Sequence, residues 1–530
     1  MATVLYNAQI HTLSSAQPYA NALAIGNGSI LAIGSDEEIL STFGLAQAFN
    51  AGGKCIIPGL TDAHIHLETY ALNLQRVNCE THTRAECLAR VAERAQNTPP
   101  GEWICGHGWN QNLWDEGFGY SPDLDGVAPN HPVYLTAKSL HAAWANSTAM
   151  QLAGINTRTA DPTGGRLSRL PDGTPDGILF ESAMQLVEDA IPDPTIHKVE
   201  QAIQEAQIEL IQMGLTSIHD FDRRRCFSAL QHLHQQERLH VRVTKSLPLE
   251  DLPHAVQLGL RSGFGDDTLR IGSLKGFADG ALGPHTAAMI SAYEDDPQNY
   301  GILMLDAEEL VERGRSAIDN GLSLAIHAIG DRANHEILNA FSQLRAYETA
   351  AFPTTSYRLR HRIEHVQLLH PADQARLAEL GIIASMQPIH ATSDMEMADR
   401  FWGTRAALSY AWRTQLKHGA VLAFGSDAPV ESPNPFLGLH AAVTRRRADG
   451  RPGADGWYPE QRLSRLEALQ GFTSGPAYAA GMEGRLGKLA PGFLADLLVL
   501  DTDIFTCDPD QIKDTRPSAT MIGGAWVWQA

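Results

Sequence analysis

The stretch Cys55-Ile56-Ile57-Pro58-Gly59-Leu60-Thr61-Asp62-Ala63-His64-Ile65-His66 decides how the rest of the chain is read. Its apolar opening reads as a buried strand. Successive side chains of an extended segment point to opposite faces, so His64 and His66 point the same way. Two imidazoles side by side at the end of a strand make half of a metal site. A bare His-x-His is weak by itself, because one ring can pack while the other is solvated. The reading gains force from further ligand-type residues downstream, each at the end of its own strand-like run.

Those runs recur at 215–219, 240–244, 269–274, 322–326, 359–363, 382–386 and 421–424. Helical periodicity separates several of them, as at 306–320 and 371–380, and 195–213 carries the same period. With the strand that ends at His64, this alternation gives eight βα units. The expected fold is α/β, a (β/α)8 TIM-like barrel. A doubly wound sheet has no cause to spread ligand-type residues over so many strand ends.

Around the barrel the sequence changes character. Residues 1–57 read as short strands, with Asn27-Gly28 as a hairpin signal. That piece is too short to close a core alone. Strand-like runs at 495–500 and 519–522 supply the missing partners, so 1–57 and 484–530 are expected to build one composite β-sandwich flanking a barrel at 58–483. Residues 68–195 are rich in Gly, Pro, Asn and Trp and include Gly106-His107-Gly108-Trp109. Long segments of this kind inside a compact domain are usually functional, and this one is expected to be a lid subdomain inserted over the barrel mouth.

Composition narrows the function classes. The 530 residues are 43% hydrophobic and 19% charged, ordinary for a globular protein. A formal net charge of -20 argues against a nucleic-acid or anionic-membrane partner, each of which needs a basic footprint. Six scattered cysteines lack metal-type pairing and read as free thiols of a reducing compartment. With no leader pattern at the start and no long apolar run, the expectation is a cytoplasmic protein acting on a small molecule, and a homodimer is compatible with it.

Barrel enzymes carry their chemistry at the C-terminal ends of the strands. Reading those ends gives His64, His66, Lys275, His327, His365 and Asp427. Imidazole and carboxylate donors suit zinc, with manganese, iron or nickel as alternatives. Lys275 is the odd member, since an ammonium has no lone pair. Its neutral amine could react with carbon dioxide to give a carbamate, whose two oxygens can bridge two cations. The alternatives are that Lys275 pairs with Asp279 or binds substrate. Trp109, His141 and His390 are candidate substrate contacts, each with an equal claim to be packing.

These motifs resemble the amidohydrolase superfamily, in particular the amidohydrolase-3 subgroup of formamide deformylase-like proteins. The likeness also covers His141-Ala142-Ala143-Trp144-Ala145-Asn146-Ser147, the run from Gly177 to Met184, the run from Lys275 to Gly283, and Gly487-Lys488-Leu489. It implies hydrolysis of a non-peptide C–N bond, of amide or formamide type, at a binuclear centre. By that likeness His64, His66 and Asp427 hold one divalent ion, His327 and His365 hold the other, a carbamate on Lys275 bridges, and Asp427 is the catalytic acid–base group. Pro284-His285 and Asn110 depart from the subgroup's pattern and bear on substrate preference. Three other readings use the same frame: a mononuclear deaminase, an esterase or lactonase, and a regulatory member that has lost turnover.

Overall fold

The computed structural model describes residues 2–44, 47–111, 114–138, 142–354 and 358–530. The chain divides into two compact units, one of Met1–Tyr70 with Ile203–Ala530 and one of Ala71–Ala202.

In the larger unit eight parallel strands pair in sequence order. They are β1 (Leu60–Ile65), β2 (Leu215–Asp220), β3 (Arg242–Pro248), β4 (Leu269–Phe277), β5 (Leu324–Ala328), β6 (Arg362–His365), β7 (Ile383–Met386) and β8 (Leu422–Phe424). All residues of β1, β2, β6 and β7 are buried, as parallel strands covered on both faces should be.

β1 and β8 are the two ends of this sheet, and the circle is joined where they finish. The Asp427 amide donates to the His64 carbonyl at 2.7 Å, and the His66 amide donates to the Ala428 carbonyl at 2.9 Å. Below that seam the Asp62 carboxylate accepts from the His64 and Ser426 amides, at 3.0 Å each, and from Ser426 Oγ at 2.5 Å. Gly425 lets the two strands come this close: a Cβ there would lie 2.4 Å from His64 N and 2.7 Å from Asp62 Oδ1.

The opening stretch of the sequence is split between two sheets. Leu60–Ile65 starts the barrel, but Cys55–Pro58 pairs antiparallel with Leu497–Leu500 in a flanking six-stranded sheet. Gly59 makes the change of sheet, where a Cβ would lie 2.3 Å from Thr216 Oγ1. The N-terminal run divides in the same way. Asn7, at φ +54°, separates Thr3–Tyr6 of a four-stranded sheet from Gln9–His11 of the six-stranded one. Leu5, Ile10, Leu23 and Ile56 share one core with Leu489, Leu497 and Met521, so both ends of the chain build this sandwich.

The unit Ala71–Ala202 has a mixed six-stranded sheet of its own. Its order runs Gly165–Arg169, Pro175–Glu181, Ala142–Ala145, Val133–Ala137, Ile104–Trp109, Val77–Asn78. The pattern looks loose in sequence because glycines stand where strand residues would be β-branched. At Gly106 a Cβ would lie 2.6 Å from Leu135 Cδ2, so packing demands the glycine. No helix among the described residues is long and apolar enough to cross a membrane.

Gly425→Ala is expected to force β8 away from β1. The cost should be that of overpacking a core, roughly 1–3 kcal/mol. Urea denaturation should show the loss, while Gly126→Ala, a helical position whose Cβ would meet nothing within 4 Å, should not lower the midpoint.

Candidate metal centre

The strand ends bring the expected residues together. His64 lies near the end of β1 and His66 just beyond it, Lys275 lies in β4, His327 in β5 and His365 at the end of β6, and Asp427 follows β8. His64 Nε2 and His66 Nε2 stand 3.5 and 3.4 Å from the same oxygen, Asp427 Oδ1. The His365 ring lies 5.0 Å from the His64 ring and 4.5 Å from the His327 ring, between centroids. The backbone is strained where these groups sit: His365 has φ +74°, Val366 +44° and Asp427 +60°. Such conformations persist only where the surroundings impose them.

Hydrogen bonds from the far side of each ring set its tautomer. His64 Nδ1 lies 2.6 Å from Glu364 Oε2, and His66 Nδ1 3.1 Å from Asp222 Oδ1. His365 Nδ1 lies 2.8 Å from Gln387 Oε1, and His327 Nε2 2.9 Å from the Gly280 carbonyl. Each of these oxygens is an acceptor, so the ring nitrogen facing it carries the proton. The lone pair is then left on Nε2 of His64, His66 and His365 and on Nδ1 of His327. This is how histidines that hold metals are oriented. Burial, followed by the neighbouring Lys275 charge, drives the His64 imidazole well below the usual histidine range and His327 to about 3. Burial and the His327 ring do the same to His365. At His66 burial lowers the value, but the bond to Asp222 outweighs it and the net shift is upward.

The donor set fits a cation. His64 Nε2 is buried with no hydrogen-bond partner. A buried nitrogen left so costs about 1–3 kcal/mol unless something electrophilic meets it. Two donor groups close to within 4.8 Å: His64 with His66 and Asp427, and His365 with His390 and Asp427. The second differs from the expected pair of His327 and His365. His390, at the start of the helix Pro388–Trp402, brings Nε2 to 3.9 Å from Asp427 Oδ2 and stacks its ring parallel to that of His365.

Lys275 is buried, with Nζ 4.8 Å above the Phe221 ring and 4.9 Å from that of Phe277. Burial lowers its ammonium to about 8, against the pull of Glu364 and Asp427. Asp279, the alternative partner for Lys275, is engaged elsewhere: its carboxylate accepts from the amides of Ala288, Ile329 and Gly330. Trp109 lies in the core of its own unit, where its indole N–H donates to the Leu135 carbonyl at 2.8 Å. That bond satisfies its only polar group, and the ring serves packing. His141 lies outside the described residues.

The family model described as "Amidohydrolase family" matches residues 47–528. The chain belongs to the amidohydrolase family. Similar proteins include "Protein LONG AFTER FAR-RED 3" of Arabidopsis thaliana, 33% identical over 98% of this chain and 91% of that protein. "Putative amidohydrolase YtcJ" of Bacillus subtilis (strain 168) is 30% identical over the whole of both chains. "N-substituted formamide deformylase" of Arthrobacter pascens is 26% identical, over 98% of this chain and 97% of that protein. Among solved structures, an uncharacterized metal-dependent hydrolase from Pyrococcus furiosus superposes with a TM-score of 0.79 at 28% identity, over 96% of this chain and 100% of that one.

This amidohydrolase has an inner layer that the strand-end reading missed. Arg362 and Glu364 alternate with Ile363 along β6, so both point into the barrel. Arg362 binds Glu364 through Nε at 2.5 Å and Nη2 at 2.9 Å, and its remaining donors reach the Ala63 carbonyl, His219 Nδ1 and Ser385 Oγ. Burial alone would raise Glu364; Arg362 and Lys275 outweigh it and hold the carboxylate ionised. Phe221, just beyond β2, stacks on His64 at 4.2 Å. The signal was there to read: Arg-Ile-Glu-His places two charges inside a strand that parallel topology buries.

Glu364→Gln keeps the shape but removes the anion that orients His64. Metal affinity should fall roughly 10–100-fold, as for other outer partners of metal ligands. Chelator competition should register it, alongside a stability loss from the now unpaired Arg362.

Proposed function

We propose that this amidohydrolase is a metal-dependent hydrolase of a non-peptide C–N bond in a small molecule, of the amide or formamide type. One observation carries the reading. Four imidazoles at the strand ends are each locked by an acceptor on the far side, and His64 and His66 turn Nε2 to one oxygen of Asp427. Likeness to a formamide deformylase over nearly the full chain supports the bond type.

In this proposal His64, His66 and Asp427 hold one divalent ion and His327 and His365 the other, with zinc the metal that best suits the donor set. Such ions supply Lewis acidity, polarising a carbonyl and acidifying water. The chain's own work is proton transfer and positioning. Asp427 takes the proton of the attacking water and returns it to the leaving nitrogen. The neutral Lys275 amine would add to carbon dioxide, forming an N–C bond and releasing a proton, and the carbamate anion would supply the negative charge that the neutral histidines lack. Two divalent charges close together in a partly desolvated pocket repel strongly. Neutral histidines do not offset that repulsion, whereas a carbamate does. His390, beside Asp427 and His365, contacts the substrate. The lid role expected of residues 68–195 belongs to the same proposal.

Asp427→Asn should keep the fold and most of the metal but lower turnover by about 10²–10⁴, the usual contribution of an acid–base group. A screen of formamides, amides and esters, run with metal analysis, provides the measurement.

Lys275→Ala should lose at least one metal equivalent and most activity, and added acetate or formate should restore part of both. His390→Asn should keep both metals and raise KM. If Lys275→Ala retained two metals and ignored acetate, the bridge would be refuted.

A further inference from the structure

A second set of donor atoms converges in the sandwich, away from the barrel strands. His11 ends the strand Gln9–His11, Cys55 opens Cys55–Pro58, and Asp503 lies in the loop after Leu497–Leu500. These three strands are neighbours in one sheet, and Cys55 is paired in register with Gln9 on one side and Leu500 on the other. His11 Nε2 is 3.3 Å from Asp503 Oδ1, and Cys55 Sγ is 3.9 Å from the same oxygen. All three donor atoms lie within 4.8 Å of one another.

We propose that His11, Cys55 and Asp503 form a second, structural metal site for a zinc-class divalent cation, separate from the centre at the barrel mouth. The spacing supports it. A charge-assisted N–H to carboxylate bond is usually about 2.7–2.9 Å long. Ligands of one tetrahedral zinc, at bond lengths of about 2.0–2.3 Å, stand roughly 3.3–3.6 Å apart. The His11–Asp503 separation matches the second, and the sulfur needs only a small inward shift. A thiolate, an imidazole and a carboxylate select zinc over magnesium or calcium. The fourth position falls to water.

The surroundings hold these donors in place. The His11 ring stacks on Phe505 at 4.0 Å and meets Tyr19 edge-on at 5.5 Å, between centroids. Asp503 accepts from the Phe505 amide and from Thr506 Oγ1, both at 2.9 Å, which fixes its carboxylate. Burial lowers His11 against the pull of the Asp503 charge. Burial, then the nearby Asp503 charge, pushes the Cys55 thiol up to about 12. That thiol would surrender its proton to a cation, and metal uptake would release it. The other cysteine-containing cluster, Asp220 with Asp222 and Cys226, already holds a cation: Lys245 Nζ lies 2.7 Å from Asp220 Oδ2. A metal at His11–Cys55–Asp503 would tie the N-terminal strand, the strand leading into β1 and the C-terminal loop together.

Cobalt titration of the purified full chain tests this. The ligand set at the barrel mouth contains no sulfur, so a sulfur-to-cobalt charge-transfer band reports only a cysteine site. The expected result is a band whose final intensity corresponds to one thiolate-bound cobalt per chain, which disappears in Cys55→Ser and survives in Cys226→Ser. His11→Gln and Asp503→Asn should each weaken cobalt binding at least tenfold. They keep the test decisive should Cys55→Ser fail to fold. Absence of the band in the parent protein, its survival in Cys55→Ser, or unchanged affinity in both His11→Gln and Asp503→Asn would overturn the proposal.

Discussion

The seam between β1 and β8 is the constraint on which the rest depends. The residues that close the barrel are those that line the candidate metal centre. The Asp427 amide bonds the His64 carbonyl, while the side chains of the same two residues face each other across 3.5 Å. Closing the sheet and assembling the donors are therefore one event. This explains the left-handed backbone at Asp427 and the glycine before it at position 425. A barrel left open at this seam would separate His64 and His66 from Asp427 and leave Asp62 buried without its two Ser426 donors.

A second layer of charge makes the centre rigid. Arg362 and Glu364 are removed from water together, with every strong donor and acceptor engaged. A buried pair of this kind is weak as a source of stability, because desolvation offsets the attraction; breaking it by removing one partner costs about 3–5 kcal/mol. What it contributes is orientation. Glu364 fixes the proton on His64 Nδ1, and Arg362 fixes Glu364 while reaching β1, β2 and β7. Asp222 does the same for His66, with further bonds to the amides of Glu68 and Thr69. The donors thus face the shared space in one tautomer, without rearrangement.

The strand-end logic made much of this legible in advance. His64 and His66 could be paired from the period of a strand, and the alternation of strands and helices placed Lys275, His327, His365 and Asp427 at the same end. The composite sandwich was also readable, because the N-terminal strands had too little chain to bury themselves. The segment Ala71–Ala202 was less legible: its sheet uses glycines demanded by packing, and these erase the alternation that marks a strand. Trp109 shows the same limit: its residue type suits packing and substrate contact equally, and only the neighbouring strands show that it is buried.

Sequence by itself determined the fold class and the chemical identity of the donors, because residue type and strand period are local properties. Tertiary structure decided which atoms of those donors are available. The sequence cannot say that Glu364, Asp222, Gln387 and the Gly280 carbonyl take one nitrogen of each ring, or that His390 joins Asp427 and His365. Nor can it show that Cys55 belongs to a different sheet from His64, nine residues on, beside His11 and Asp503. Those are relations between residues distant in the chain, and only the closing of the sheets brings them within the few ångströms over which hydrogen bonds and metal ligands act.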